Sequence, residues 1–172
     1  MQPFRFLRTA VLCAASSAAL LPIGAIAATD TASFDVTITL TKTCDVSSVA
    51  PTDLNFGSTG LLNANVDQSS TITVTCSQDA AYNIGLDAGL SPATPGDTTT
   101  RRMSDGNSHY VQYQLYQDAL RGTDWGDAIG SDTQASTGIG SAQAFTVYGR
   151  VPPQSTPPAG SYADTITVTV TY

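Results

Sequence analysis

The sequence predicts an all-β protein, a single small sandwich of short strands. Two observations carry that expectation. Apolar residues recur with a period of two in several separate stretches, and clusters of Gly, Pro, Asp, Ser and Thr punctuate them. Beyond residue 27 no stretch has the period of a helix, apart from a short turn expected near Asp118.

The chain opens differently. Arg5 and Arg8 precede an apolar run from Ala10 to Leu21, which Pro22 and Gly24 interrupt before Ala25-Ile26-Ala27. A basic start, a short apolar middle and a small-x-small end are the parts of a secretory signal peptide. The run is too short and too broken for a good spanning helix, so no membrane anchor is expected. Cys13 follows Ala10-Val11-Leu12, which is not a lipoprotein box, and is expected to leave with the signal. Cleavage after Ala27 leaves residues 28 to 172, enough for one domain.

The 14 acidic side chains are all Asp, and the basic residues after the leader are Lys42, Arg101, Arg102, Arg121 and Arg150. No basic patch or arginine-rich run offers a surface for nucleic acid, and an acidic surface disfavours anionic lipid. Two cysteines remain after the leader, Cys44 and Cys76. In an exported chain such a pair is expected to form a disulfide. The loop it closes stabilises by about 3–4 kcal/mol in the chain-entropy view. A zinc site would need more ligands than these two cysteines and His109, the single histidine.

The strands follow in order. Phe34, Val36, Ile38 and Leu40 alternate with polar residues, and Leu54-Asn55-Phe56-Gly57 reads as a short strand ending at a glycine. Ile72, Val74 and Cys76 share one face of the stretch 70–76; Tyr82, Ile84 and Leu86 repeat the pattern. Residues 91–107 read as a loop, residues 111–116 as a strand, and residues 122–140 as a second soft stretch. Another strand is expected over 144–151, then a proline-rich connection. The longest alternation comes last: Tyr162, Asp164, Ile166, Val168, Val170 and Tyr172 on one face, threonines on the other. Short strands at this spacing with one disulfide suit an immunoglobulin-like sandwich; a jelly roll or small barrel fits the pattern as well.

Both outer stretches of the chain after the leader alternate. Either each is an ordinary strand of one closed sandwich, or the first serves a neighbouring molecule by adding a strand to its sheet. Burying Phe34, Val36, Ile38 and Leu40 would contribute roughly 6–10 kcal/mol before ordering costs.

Several blocks carry a family resemblance. They are Cys44 with Asn55-Phe56-Gly57, Thr73-Val74-Thr75-Cys76, the run Tyr82 to Gly89, Arg102-Met103, Tyr113 to Asp118 and Trp125-Gly126. The strongest is Val147-Tyr148-Gly149-Arg150-Val151-Pro152, followed by Gln154, Pro158 to Thr165 and the alternating tail. In order and spacing the chain resembles the spore coat protein U domain family, which includes subunits of archaic chaperone–usher pili.

The resemblance implies an incomplete immunoglobulin-like β-sandwich lacking its last strand, with an N-terminal donor-strand extension. It divides the chain into a signal peptide (1–27), a donor extension (28–40) and a pilin-like domain (41–172). Phe34, Val36, Ile38 and Leu40 would fill a neighbour's groove. The strand bearing Tyr162, Ile166, Val168, Val170 and Tyr172 would border the chain's own groove and pair with the chaperone. Cys44 and Cys76 would be the disulfide of the family. The implied partners are a periplasmic pilus chaperone, an outer-membrane usher and neighbouring subunits. The implied role is that of a shaft or adaptor subunit of a surface pilus; a stand-alone secreted or coat binding protein is the alternative.

No catalytic, cofactor or metal site is expected. His109 beside Ser108 and Asp105 lacks the defined geometry of a triad. Asp87, Asp97 and Asp105 lack the dense oxygen spacing of a calcium loop, and turn chemistry explains them. Trp125 is expected to pack against the sandwich rather than to present a carbohydrate-binding face. Asp164 breaks an apolar parity, either at the rim of the groove or paired with Arg150.

Overall fold

The computed structural model describes residues 27–47 and 49–172. The leader reading, Cys13 included, therefore lies outside the described residues except at Ala27. The chain divides into two units, one ending at Ile38 and one from Thr39 to Tyr172. In the first, residues 27–38 form no strand or bridge. Phe34, Val36 and Ile38 there are between 84% and 86% exposed, and Leu40, just inside the second unit, is 85% exposed.

Among the described residues the second unit is an all-β sandwich of nine strands: β1 Cys44–Asp45, β2 Val66–Cys76, β3 Ala81–Leu86, β4 Arg102–Ser104, β5 Tyr110–Gln112, β6 Gln114–Tyr116, β7 Gln134–Thr137, β8 Ala142–Val151 and β9 Val168–Thr171. One sheet has the order β1-β2-β8-β6, the other β7-β3-β9, and β4-β5 is a separate hairpin. Every ladder is antiparallel.

The two sheets meet through the alternating residues. Ile72, Val74 and Cys76 of β2 and Tyr82, Ile84 and Leu86 of β3 are all buried. A period of two puts each set on one face, so each strand contributes one apolar side to a shared core. Tyr82 meets Phe145 of β8 edge to face, with ring centroids 6.3 Å apart. β2 and β8 run paired from Val66↔Val151 to Thr75↔Ala142, the spine of the larger sheet. The Cys44–Cys76 disulfide closes β1 onto the end of β2.

The structure departs from the sequence expectations in local ways. The loop 91–107 contains a turn of 3₁₀ helix at Thr98–Thr100 and strand β4; the soft stretch 122–140 contains β7. The strand read over 111–116 breaks at Tyr113, so that β5 pairs with β4 and β6 with β8. Leu54–Gly57 joins no ladder, and of the long final alternation only Val168–Thr171 is ladder-paired strand. Trp125 is buried, and its Nε1 donates to the Ile84 carbonyl at 2.9 Å. An indole in a core needs such a partner.

Candidate functional site

The two stretches that failed to join ladders face each other. Residues 51–60 and 156–166, with Val168 of β9, form the walls of a groove of about 930 Å³ in the second unit. Its floor is core: Ile72, Leu86, Leu115, Val147 and Val151. Leu54 and Phe56 line one wall, Tyr162, Ile166 and Val168 the other.

The first wall is positioned by a missing side chain. Gly149 faces the core from β8, and a Cβ there would stand 2.7 Å from Leu54 Cδ1 and 3.0 Å from Phe56 Cζ. Glycine lets the unladdered segment lie close over the sheet. Phe56 in turn tilts against Tyr113, centroids 6.3 Å apart.

The second wall continues β9 backwards beyond its ladder. β9 is the edge of its sheet, paired to β3 on one side. That ladder ends at Leu86↔Val168. Asp87 then extends it: its N–H donates to the Thr167 carbonyl at 3.2 Å, and its Oδ1 accepts the Thr167 N–H at 2.9 Å. Further on, Ala163 exchanges both backbone bonds with Ser104 of β4. Odd-numbered residues thus direct their backbone groups to the closed side. By the alternation of a strand, Ile166, Val168 and Val170 direct theirs to the open side. Their side chains, with Tyr162 and Asp164, are half-buried, while the intervening residues are exposed.

Asp164 is a polar point in the apolar wall. Its Oδ2 accepts the Tyr113 hydroxyl at 2.7 Å, and its Oδ1 accepts the Leu90 N–H at 2.8 Å and the Thr165 N–H at 2.9 Å. Burial, then the Asp164 carboxylate, pushes Tyr113 far above the usual phenol range. Arg150 is not the partner of Asp164: it makes a two-bond fork with Asp67, at 2.7 and 2.8 Å. That bond holds the Asp67 carboxyl below the usual carboxylate range.

Behind the groove lies a buried cation. Arg101 is 1% exposed, and its guanidinium donates to the carbonyls of Asp87 (2.8 Å), Leu86 (2.7 Å) and Trp125 (2.9 Å). Burial lowers its pKa, against the opposing fields of Tyr113 and Asp87. Arg101 therefore pins the end of β3, from which Asp87 reaches the groove wall.

The expected site residues separate into groups. Tyr162, Ile166 and Val168 line the groove; Val170 packs on the core cluster. Tyr172 is 60% exposed and lies outside the groove. Phe34, Val36, Ile38 and Leu40 are exposed, as above. His109 sits at the β4–β5 hairpin with Nδ1 2.8 Å from Asp105 Oδ2, on an exposed turn. Among the described residues no group of three or more potential ligands is placed to hold a metal, and no helix is long and apolar enough to cross a membrane. Sequence reasoning named Leu54, Phe56, Arg101 and Tyr113 but gave none of them a place at the groove. The block Tyr113–Asp118 marked the region but not the role.

The chain is similar to known proteins. The spore coat protein U domain family matches residues 30–169. The chain belongs to that family. "Protein U" of Myxococcus xanthus is 33% identical over 178 residues, covering 96% of this chain and 98% of that protein. Among solved structures, a chain of the chaperone–tip adhesion subunit pre-assembly complex from the archaic chaperone–usher Csu pili of Acinetobacter baumannii aligns with a TM-score of 0.55 at 25% identity. The alignment covers 78% of this chain and 40% of that one, so this chain spans well under half of that relative. The incomplete immunoglobulin-like sandwich read from the spore coat protein U pattern is the fold this likeness supports.

Proposed function

We propose that this chain is a structural subunit of a surface pilus, shaft or adaptor. In this reading a periplasmic chaperone carries it to an outer-membrane usher, and subunits polymerise by donor-strand exchange. The observation that carries the reading is a pair of unmatched halves. A groove with an apolar floor lies beside the open edge of β9, and residues 34–40 carry four exposed apolar side chains at the spacing of a strand. An extended segment entering such an edge gains backbone bonds from the sheet and burial from alternate side chains. The process needs no nucleotide or metal; the driving force is the burial itself. The leader reading and the chaperone–usher context of the solved relative support export to the cell surface.

The test uses mature protein isolated from the periplasm, and a version lacking residues 28–40, run unboiled and boiled on a denaturing gel. The full-length protein is expected to give a ladder that boiling collapses, and the truncation to lose it. A ladder that survives removal of residues 28–40 would overturn the donor role of that segment.

A second reading has its own support. The family description and the end-to-end match to Protein U favour a coat component. Electron microscopy of producing cells separates them: thin fibres support the pilus, a continuous layer the coat.

A further inference from the structure

The groove wall and the donor segment each carry one charge at the end of an apolar series, and the two charges are opposite. Along the final strand Ile166, Val168, Val170 and Tyr172 are preceded on the same face by Asp164, and of these Asp164, Ile166 and Val168 line the groove. Phe34, Val36, Ile38 and Leu40 of the segment are followed on the same parity by Lys42, two residues past the 28–40 extension and the only lysine of the chain. We propose that a second copy of this chain enters the groove antiparallel to the final strand, in the register that sets its Lys42 against Asp164. This rests on the strand-exchange reading and specifies its geometry.

The register follows from matching the two series. Lys42 opposite Asp164 places Leu40 on Ile166, Ile38 on Val168, Val36 on Val170 and Phe34 on Tyr172. Four apolar pairs and one ion pair form with no mismatch, the Phe34 pair lying beyond the groove, where Tyr172 is 60% exposed. A slip of two residues one way sets Leu40 on Asp164; a slip the other way sets Lys42 on Ile166. Slips of one residue turn the apolar face outward. A parallel strand also matches four apolar residues with four, but it sets Ala32 on Asp164 and brings Asp30 as the next inward residue toward that carboxylate. Charge therefore selects the direction, and the direction agrees with every ladder in the fold.

The Asp164 carboxylate is built for this. It lines the groove and is held by Tyr113, Leu90 and Thr165, so it presents a fixed anion rather than a swinging one. Three bonds leave room for a fourth donor on a carboxylate with about four lone-pair sites. The backbone agrees as well. Thr167 directs its backbone bonds to the Asp87 side, so on the open side it belongs to a pair without backbone bonds. In the proposed register its opposite number is Thr39 of the incoming copy. Such pairs bring Cα atoms to about 4.5 Å, close enough for a disulfide.

Oxidative cross-linking reads the register directly. Thr39 and Thr167 are both exposed, so the substitutions spare the groove. Mature protein carrying Thr39→Cys with Thr167→Cys is expected to give a ladder that survives boiling until reductant is added. Thr39→Cys with Thr165→Cys reports a register slipped by two, and Thr39→Cys with Thr171→Cys a parallel strand; neither is expected to cross-link. A boiling-resistant ladder from either control overturns the proposal. So does the absence of cross-linking in all three while the unsubstituted protein still forms its heat-sensitive ladder. If the unsubstituted protein forms no such ladder, the strand-exchange reading has failed, and the register with it. Lys42→Glu tests the ion pair separately. It is expected to slow ladder formation about two- to fivefold at low salt and to remove its salt dependence, with Lys42→Arg restoring both. An unchanged rate in Lys42→Glu overturns the charge role.

Discussion

One side chain shows how a single residue shapes the groove from a distance. Arg101 has no ion-pair partner within bonding range among the described residues; it satisfies three carbonyls instead. Arg101→Met keeps much of the volume but leaves all three carbonyls buried without a donor. The expected loss is about 3 kcal/mol or more. The urea midpoint of the assembled polymer, followed by fluorescence of Trp125, the only tryptophan, measures it. Arg101→Lys is expected to recover only part, because one ammonium does not span three acceptors in a fork. Asp105 is the acid-sensitive point. The bond from His109, with backbone bonds from Asn107 and His109, holds its carboxyl at about 2. A depressed carboxylate stabilises the fold above its unfolded pKa, near 4, and that contribution is lost as pH falls through about 2. Asp105→Asn is expected to flatten the stability profile between those limits. Asp67 and Asp97, lowered by Arg150 and Thr99, add slope of the same sign.

At the scale of elements, legibility in the sequence followed the source of each strand's pairing. β2, β3 and β8 were readable because a period-two apolar face is enough to define a half-buried strand, and the register then follows from burial. β4 and β7 were not readable. Their residues are polar and short, and their place comes from tertiary partners: β4 from β5 and Ala163, β7 from β3. Tyr113 looked like mid-strand, yet its hydroxyl is held by Asp164 and its N–H by the Arg101 carbonyl, and the strand changes sheet there. Leu54–Gly57 and Tyr162–Thr167 looked like ordinary strands because they alternate. Nothing in an alternation says whether a partner strand is present, so the groove itself was legible only through the family resemblance. The disulfide belongs to this scale, since it fastens the two-residue β1 to β2. Cys44→Ala with Cys76→Ala is expected to lower polymer stability by about 3–4 kcal/mol. The same urea titration checks it, and a shift no larger than that of a surface substitution would remove the role.

At the scale of the whole molecule, acceptor and donor lie on different parts of one chain, and this makes their roles separable. A subunit lacking residues 28–40 keeps the groove walls, the β9 edge and the Asp164 anchor, all of which lie in residues 51–172. It is expected to accept a donor strand from a full-length neighbour and to offer none in return, so it ends the polymer it joins. Co-expressed with full-length protein, it would shorten the heat-sensitive ladder in proportion to its share. The opposite defect is Ile166→Asp, which puts a carboxylate in the groove wall while leaving residues 28–40 untouched. Such a subunit donates but accepts poorly, and it ends chains from the other side. Mixed together without wild type, the two should yield dimers and little else: the truncated subunit's groove takes the strand of the Ile166→Asp subunit, and growth has nowhere to continue. Dimers from the mixture, with monomers from each alone, would establish a directional head-to-tail interface of the kind that builds open filaments rather than closed rings. Ladders from either variant alone would show that the contacts holding the polymer lie outside the groove.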